Sequence, residues 1–163
     1  MAIDPEILKS TMRNWVSGVA VVTSSFGGVS HGMTVNSFTS VSIQPPLIVV
    51  TLANQTRTCI LVKQSLQFGV TILSDQQREI SDRFAGIISE DQDRFSGLQV
   101  SYLNSEIPFL GGGLAWLECI VVNQIDLGFS TLFLAEVLDT RISSGEPLLY
   151  HNRDYYHLGE KYE

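Results

Sequence analysis

Cysteine is scarce in this chain. The two present, Cys59 and Cys119, lie far apart, with no C-x-x-C pair and no histidine beside either. That pattern argues against a zinc site and against a disulfide framework, and it suits a reducing cytoplasm. No apolar run reaches the length of a membrane span, because Gly, Pro, Asn and Ser interrupt every one. The N-terminus lacks the basic-then-apolar profile of a secretory signal. Basic residues are few, 10 Lys and Arg against 17 Asp and Glu, and the net charge of −7 makes nucleic acid a poor partner. These absences leave a cytoplasmic protein with one domain over residues 1–163, long enough to bury a real core.

A further absence is local. Between Arg13 and Arg57 there is no Asp, Glu, Lys or Arg, in a chain that is 17% charged overall. Strands with one face in water normally carry some charge, so both faces of this region are expected to be covered. One small domain covers both faces of a sheet poorly. A closed barrel, a bound ligand or a partner subunit must contribute.

What is present reads as many short strands and few helices. Asp4-Pro5-Glu6 has the form of an N-cap, an N1 proline and an acidic first turn, and Leu8, Met12 and Trp15 follow at helical spacing. Strands are expected at 19–24, 30–42 and 47–52, with Gly27-Gly28 as a turn and Pro45-Pro46 as a break. A short helix over 56–65 and a strand at 68–73 come next. Ser74 and Gln77 fit a capping box that opens a helix through Ile80 and Phe84, ending at Gly86. Residues 87–113, with acids at 90, 91 and 93, read as a loop holding one short strand, LQVSY. Strands return at 115–125, 130–142 and 147–158. Short strands joined by tight turns predict an antiparallel barrel rather than βαβ units.

Gly28-Val29-Ser30-His31-Gly32 matches the G-x-S-x-G pattern of a hydrolase elbow, which requires a strand, a turn and then a helix. The residues after Gly32 are strand-like, so a hairpin turn is the better reading. No dinucleotide or P-loop glycine pattern occurs, and His31, His151 and His157 lack ligand spacing, so no metal site is expected. The segment Asn54-Gln55-Thr56-Arg57-Thr58 stands where a strand turns into a helix. By itself it reads as an ordinary N-cap followed by an exposed arginine. Next to an uncharged polar strand, its hydroxyls, guanidinium and free N–H groups offer a phosphate site. The alternating Thr34, Asn36, Phe38, Ser40 and Ser42 could then meet the polar edge of a flat heteroaromatic ring.

HGMTVNSFTSVS (31–42), PPLIVVTL, NQTRT, FGVTIL, RFAG (83–86), LAWLEC, TLFLAEV and PLLYHNRDYYHL together resemble the flavin reductase-like family. The resemblance runs from about Trp15 to Leu158 and implies a mainly β fold, a flavin-binding antiparallel split β-barrel of Greek-key type with two or three short helices. It also implies site residues. Met33, Thr34, Val35, Asn36, Ser37, Phe38 and Thr39 would line the isoalloxazine ring, with Asn36 and Ser37 near its reactive edge. Leu52, Ala53, Asn54, Thr56, Arg57 and Thr58 would hold the ribityl and phosphate groups. Arg83 and Phe84 would also touch the cofactor, and Tyr150 to Arg153 would lie near the docked nicotinamide. The implied cofactor is FMN, with FAD possible, the co-substrate is NAD(P)H, and the implied assembly is a homodimer with flavin near the subunit interface.

One position departs from the family pattern. Where relatives commonly show Gly-Asp-His-Thr-Leu, this chain has Gly128-Phe129-Ser130-Thr131-Leu132, so Ser130 replaces a histidine that often approaches flavin and nicotinamide. Phe129 reads more readily as a core residue than as a shield over the flavin. The implied reaction is hydride transfer from NAD(P)H to bound flavin, supplying reduced flavin or electrons to an acceptor. Two other readings stay open: an electron-transfer flavoprotein that holds FMN and is reduced by a protein donor, and a flavin-free dimeric binding module on the same barrel.

Overall fold

The computed structural model describes residues 3–89 and 91–162, so the acid at position 90 lies outside the described residues. Helix α1 spans Pro5–Met12 and is capped by Asp4, whose carboxylate accepts from the Glu6 amide at 2.8 Å. It stops before Trp15, and none of its residues is buried. Strands β1 (Ser17–Gly18), β2 (Ala20–Phe26), β3 (Val29–Val35), β4 (Thr39–Ser42) and β5 (Leu47–Ala53) follow. Helix α2 (Arg57–Ser65) leads into β6 (Gln67–Ile72). A 3-10 turn at Asp75–Gln77, opened by the expected Ser74/Gln77 capping box, runs into α3 (Arg78–Asp82) and a π turn at Arg83–Ile87. Gly86, at φ +113°, ends that turn, as only glycine does without strain. The remaining strands are β7 (Val100–Ser101), β8 (Phe109–Leu110), β9 (Ala115–Asp126), β10 (Ser130–Ile142), β11 (Leu149–His151) and β12 (Asp154–Tyr156).

Seven strands form one antiparallel sheet in the order β3-β2-β6-β9-β10-β5-β4. One core cluster joins Ala20, Val22 and Val35 from one end of that order to Ile48, Val50 and Leu52 from the other, with Phe68, Cys119 and Phe133 between. A sheet whose two ends share a core has curled on itself, yet β3 and β4 have no ladder between them. The result is a split barrel. Helix α2 plugs it with Cys59 and Val62. A second cluster, Val19, Val21, Leu73, Phe84, Leu110 and Leu148, seals the outer face of β2 beneath α3, the π turn and the β11–β12 hairpin.

Three expectations change. The stretch 30–42 is not one strand: β3 ends at Val35 and β4 begins at Thr39, so the polar positions from 34 to 42 do not share one continuous face. The Ser37 hydroxyl holds the break by donating to the Thr51 carbonyl at 2.9 Å and accepting from the Thr51 amide at 3.2 Å. The strand expected at 147–158 folds back as the β11–β12 hairpin, because Asn152 and Arg153 take left-handed φ values of +47° and +71°. Both faces of β2 are covered, as the charge gap predicts. Residues 39–43, however, lie largely open within one chain, with Ile43 85% exposed. The Gly28–Gly32 pattern does mark a hairpin turn, with Gly27 and Gly28 at φ +59° and +78°.

Candidate functional site

The β2–β3 hairpin decides which way β3 presents its backbone. With a two-residue turn, the closing pair Phe26/Val29 exchanges hydrogen bonds and the pairing alternates from there. His31, Met33 and Val35 therefore bond inward to β2, whereas Ser30, Gly32 and Thr34 turn their N–H and C=O groups outward. β3 ends the sheet, so that outward side is a free edge. Gly32's carbonyl accepts from Arg94 Nη1 at 3.0 Å. Among the described residues the outward backbone groups of Thr34 have no such partner.

Two walls flank this edge. Alternate side chains His31 and Met33 face α2: His31 Nδ1 lies 2.9 Å from Thr58 Oγ1, and Met33 Sδ lies 3.5 Å from Thr56 Oγ1. The other face meets α3 and the π turn. Thr34 Oγ1 donates to Ser81's carbonyl at 2.6 Å, and Gly32 lies so close to Phe84 that a Cβ there would stand 2.9 Å from its ring. A cleft of about 320 Å³ opens at the edge, lined by Thr34, Val35, Asn36, Ser81, Tyr150 and Tyr155. A smaller one, about 260 Å³, continues past Asn36 and Tyr150 to Arg153 and Trp15. Tyr150 and Tyr155 pack edge to face at 5.5 Å. The Tyr155 hydroxyl donates to Asp82 Oδ1 at 2.9 Å and lies 2.8 Å from Ser81 Oγ. Burial, and then the neighbouring Asp82, push its phenol above the ordinary tyrosine range, so it stays a protonated donor.

The structure thus brings Thr34, Val35, Asn36, Tyr150 and Arg153 together around two joined clefts, with Met33 behind them against α2. Ser37 and Thr39 are exposed beside the edge, and Phe38 packs against the barrel core. Other expected residues serve otherwise. Leu52 and Phe84 are core side chains, so only their backbones can reach a ligand. Ala53 is half-buried at the end of β5, paired with Ser130. Arg83 Nη1 donates to Ser96's carbonyl at 2.9 Å and so ties down the following loop. Thr58, expected to meet an anion, is fully buried with its hydroxyl against His31. Thr56 is the N-cap of α2; its hydroxyl accepts from the Cys59 amide at 3.3 Å and donates to Ala53's carbonyl at 2.7 Å. Of the 56–58 side chains, Arg57 alone is exposed, and it lines a cleft of about 460 Å³ with Ser30, Arg94 and Tyr102.

Asn54 is a junction rather than an open ligand. Its Nδ2 donates to Gly128's carbonyl at 2.7 Å and to Asp126 Oδ1 at 3.4 Å. Its Oδ1 accepts from Thr131 Oγ1 at 2.6 Å and Lys63 Nζ at 3.0 Å, and its amide donates to Phe129's carbonyl at 3.0 Å. The turn before α2 is thereby welded to the β9–β10 hairpin that carries Ser130. Phe129 at that hairpin's tip is 92% exposed, which overturns its reading as a core residue: the turn points its ring away from the sheet.

Arg94, Ser81, Asp82 and Tyr155 escape a reading of the sequence alone. Tyr155 follows the Tyr150–Arg153 stretch, but only the hairpin turn brings it back over α3. Nothing in the sequence marks Arg94, which sits among acids like any loop arginine yet is 4% exposed.

The residues fit a planar heteroaromatic with an anionic tail. An unpaired strand edge offers a donor and an acceptor to a ring's polar rim, and the first turn of α2, beside Met33, offers N–H groups and Arg57 to an anion. Similarity to known proteins agrees with that chemistry. The model of the flavin reductase like domain matches residues 12–159. An NADH-dependent flavin reductase from Rhodococcus sp. is 31% identical over 94% of this chain and 88% of its own length. The reductase component of a 4-nitrophenol 4-monooxygenase/4-nitrocatechol 2-monooxygenase from Rhodococcus opacus is 28% identical over 96% of this chain and 82% of its own length. The solved structure of flavin reductase PheA2 superposes with a TM-score of 0.87 at 34% identity, covering 97% of this chain and all of that one. A barrel with a free β3 edge, a helix N-terminus beside it and this run of matched residues belong together: the chain is a member of the flavin reductase-like family.

Proposed function

We propose that the protein reduces flavin with NAD(P)H and passes the reduced flavin, or its electrons, to an acceptor oxygenase. The reaction is hydride transfer from NAD(P)H to the flavin with uptake of one proton, leaving NAD(P)⁺ and reduced flavin. The observation that carries this reading is the open edge of β3 at Thr34–Asn36, set between α2 and the Ser81–Tyr155 wall.

In this reading Thr34's outward N–H and C=O meet the ring's polar rim, and Asn36 lies at its reactive edge. Met33 and Phe38 supply apolar contact, Ser37 fixes the bend, and Thr39 lies beyond it. The first-turn amides of α2 and the Arg57 guanidinium hold the phosphate. FMN is the cofactor, and the cleft beyond Arg57 leaves room for the adenylate of FAD. Tyr150 and Arg153 border the place of the nicotinamide, so the two reactants are held together while bulk water is kept out. Ser130 cannot supply the charge of the histidine common at its position. Hydride transfer then depends on positioning by the β3 edge.

The working assembly is a homodimer in the cytoplasm. The neutral surface at 39–43 and the apolar side chains of α1, left open within one chain, support it. Steady-state oxidation of NADH with added FMN tests the function, and a rate no higher than a flavin-only blank rejects it. Arg57→Ala should weaken FMN clearly more than riboflavin; equal losses would displace the phosphate site.

A further inference from the structure

Arg94 lies at the centre of the free edge. Its Nη1 donates to Gly32's carbonyl at 3.0 Å and to Phe84's carbonyl at 3.2 Å, and its Nε donates to Ile88's at 2.9 Å. One guanidinium therefore pins β3, the π turn and the loop after it. With 4% of its surface exposed, it is among the most buried polar side chains of the described residues. These three partners are neutral carbonyls, and among the described residues no carboxylate forms an ion pair with it. A buried charge held only by dipoles remains able to attract an anion nearby, because little water screens it. Arg57, Asp91 and Asp93 line the cleft on its other side, and these are exposed.

Outward groups two residues apart on a strand are separated by roughly 7 Å. The charge thus stands about that far from Thr34's open backbone, along the edge proposed to hold the flavin. Arg83, whose guanidinium reaches to Ser96, points instead to the loop.

We infer that Arg94 is a positioning residue whose buried positive charge favours the reduced, anionic flavin over the oxidised one at the β3 edge. This rests on the flavin reading above. It goes beyond that reading in assigning the redox preference to a residue outside every motif of the ring and phosphate sites. The step is electrostatic: no bond to Arg94 forms or breaks. Reduction of bound flavin places negative charge beside its pyrimidine rim, and Arg94 is the near fixed positive charge.

The experiment is a spectroscopic redox titration of flavin on the full-length protein, with separate binding measurements for oxidised and reduced FMN. Wild type should bind reduced FMN more tightly than oxidised. Arg94→Gln should lower that preference roughly tenfold, about 30 mV for a two-electron couple. Arg94→Lys, which keeps the charge but not the fork, should retain most of the preference even if both affinities fall. Arg83→Gln should change both oxidation states alike. A folded Arg94→Gln with an unaltered ratio overturns the proposal. If Arg94→Gln does not fold, loss of the preference in Arg94→Lys, or its absence in wild type, overturns it. A wild-type protein that binds no flavin in either state overturns the flavin reading itself, and this proposal with it.

Discussion

Replacing Asn54 with alanine separates two roles for that residue. As a flavin contact, its loss would weaken the ligand and leave the apoprotein alone. As the junction seen here, its loss should destabilise the apoprotein. The substitution removes the acceptor of the Thr131 hydroxyl, at 2.6 Å, and the donor to Gly128's carbonyl, at 2.7 Å. Each such bond is worth about 1 kcal/mol net. Thr131 is buried, so its orphaned hydroxyl adds a penalty of about 1–3 kcal/mol. Lys63 is exposed and its contact adds little. The total is roughly 3–5 kcal/mol, which for a chain of this size lowers Tm by roughly 6–20 °C. Differential scanning fluorimetry of flavin-free protein at fixed concentration measures it. Thr131→Val in the same chain should restore part of the loss, because both partners are then apolar. A Tm change below about 2 °C, together with a marked loss of FMN affinity, would refute the junction and restore Asn54 as a ligand.

Gly32→Ala should cost about 1–3 kcal/mol, since its Cβ would meet Phe84 at 2.9 Å and the Thr23 methyl at 3.0 Å; a denaturant midpoint that does not move would show that the wall yields. Burial pushes the Cys119 thiol up to about 12, with Glu118 adding to it, and burial likewise raises Cys59. Neither thiol should react with a disulfide reagent at pH 8 until the protein unfolds, and fast native labelling would contradict that burial. The sign also fixes a pH dependence. A thiol held above its unfolded value of 9.0 favours the fold at lower pH, and that contribution fades between pH 9 and about 12. Denaturant titrations across that range should therefore show falling stability. Tyr155→Phe removes the hydrogen bonds to Asp82 and Ser81 and should cost about 1–2 kcal/mol. Chemical denaturation measures this, and a neutral result would mean that water replaces both partners.

Local chemistry wrote a good part of this protein into its sequence. The capping box at Ser74, the Gly27-Gly28 hairpin, the N-cap of α2 and the strand-rich pattern each depend on neighbours a few residues away, and each is found where expected. The family motifs pointed to the β3 edge and to α2, which flank the candidate site. Position alone could not say which atoms are free. Thr58 and Arg57 are adjacent in an apparent anion motif, yet helix rotation buries one against His31 and exposes the other. Phe129 is an apolar residue that a turn holds in water, and Arg94 is a charge that three distant carbonyls draw into the interior. Residue type and local spacing fix turns, caps and strand tendency because those forces act over a few bonds. Which side chain is spent on its own protein and which is left for a ligand depends on segments far apart in the chain, and only their packing brings them within hydrogen-bond reach.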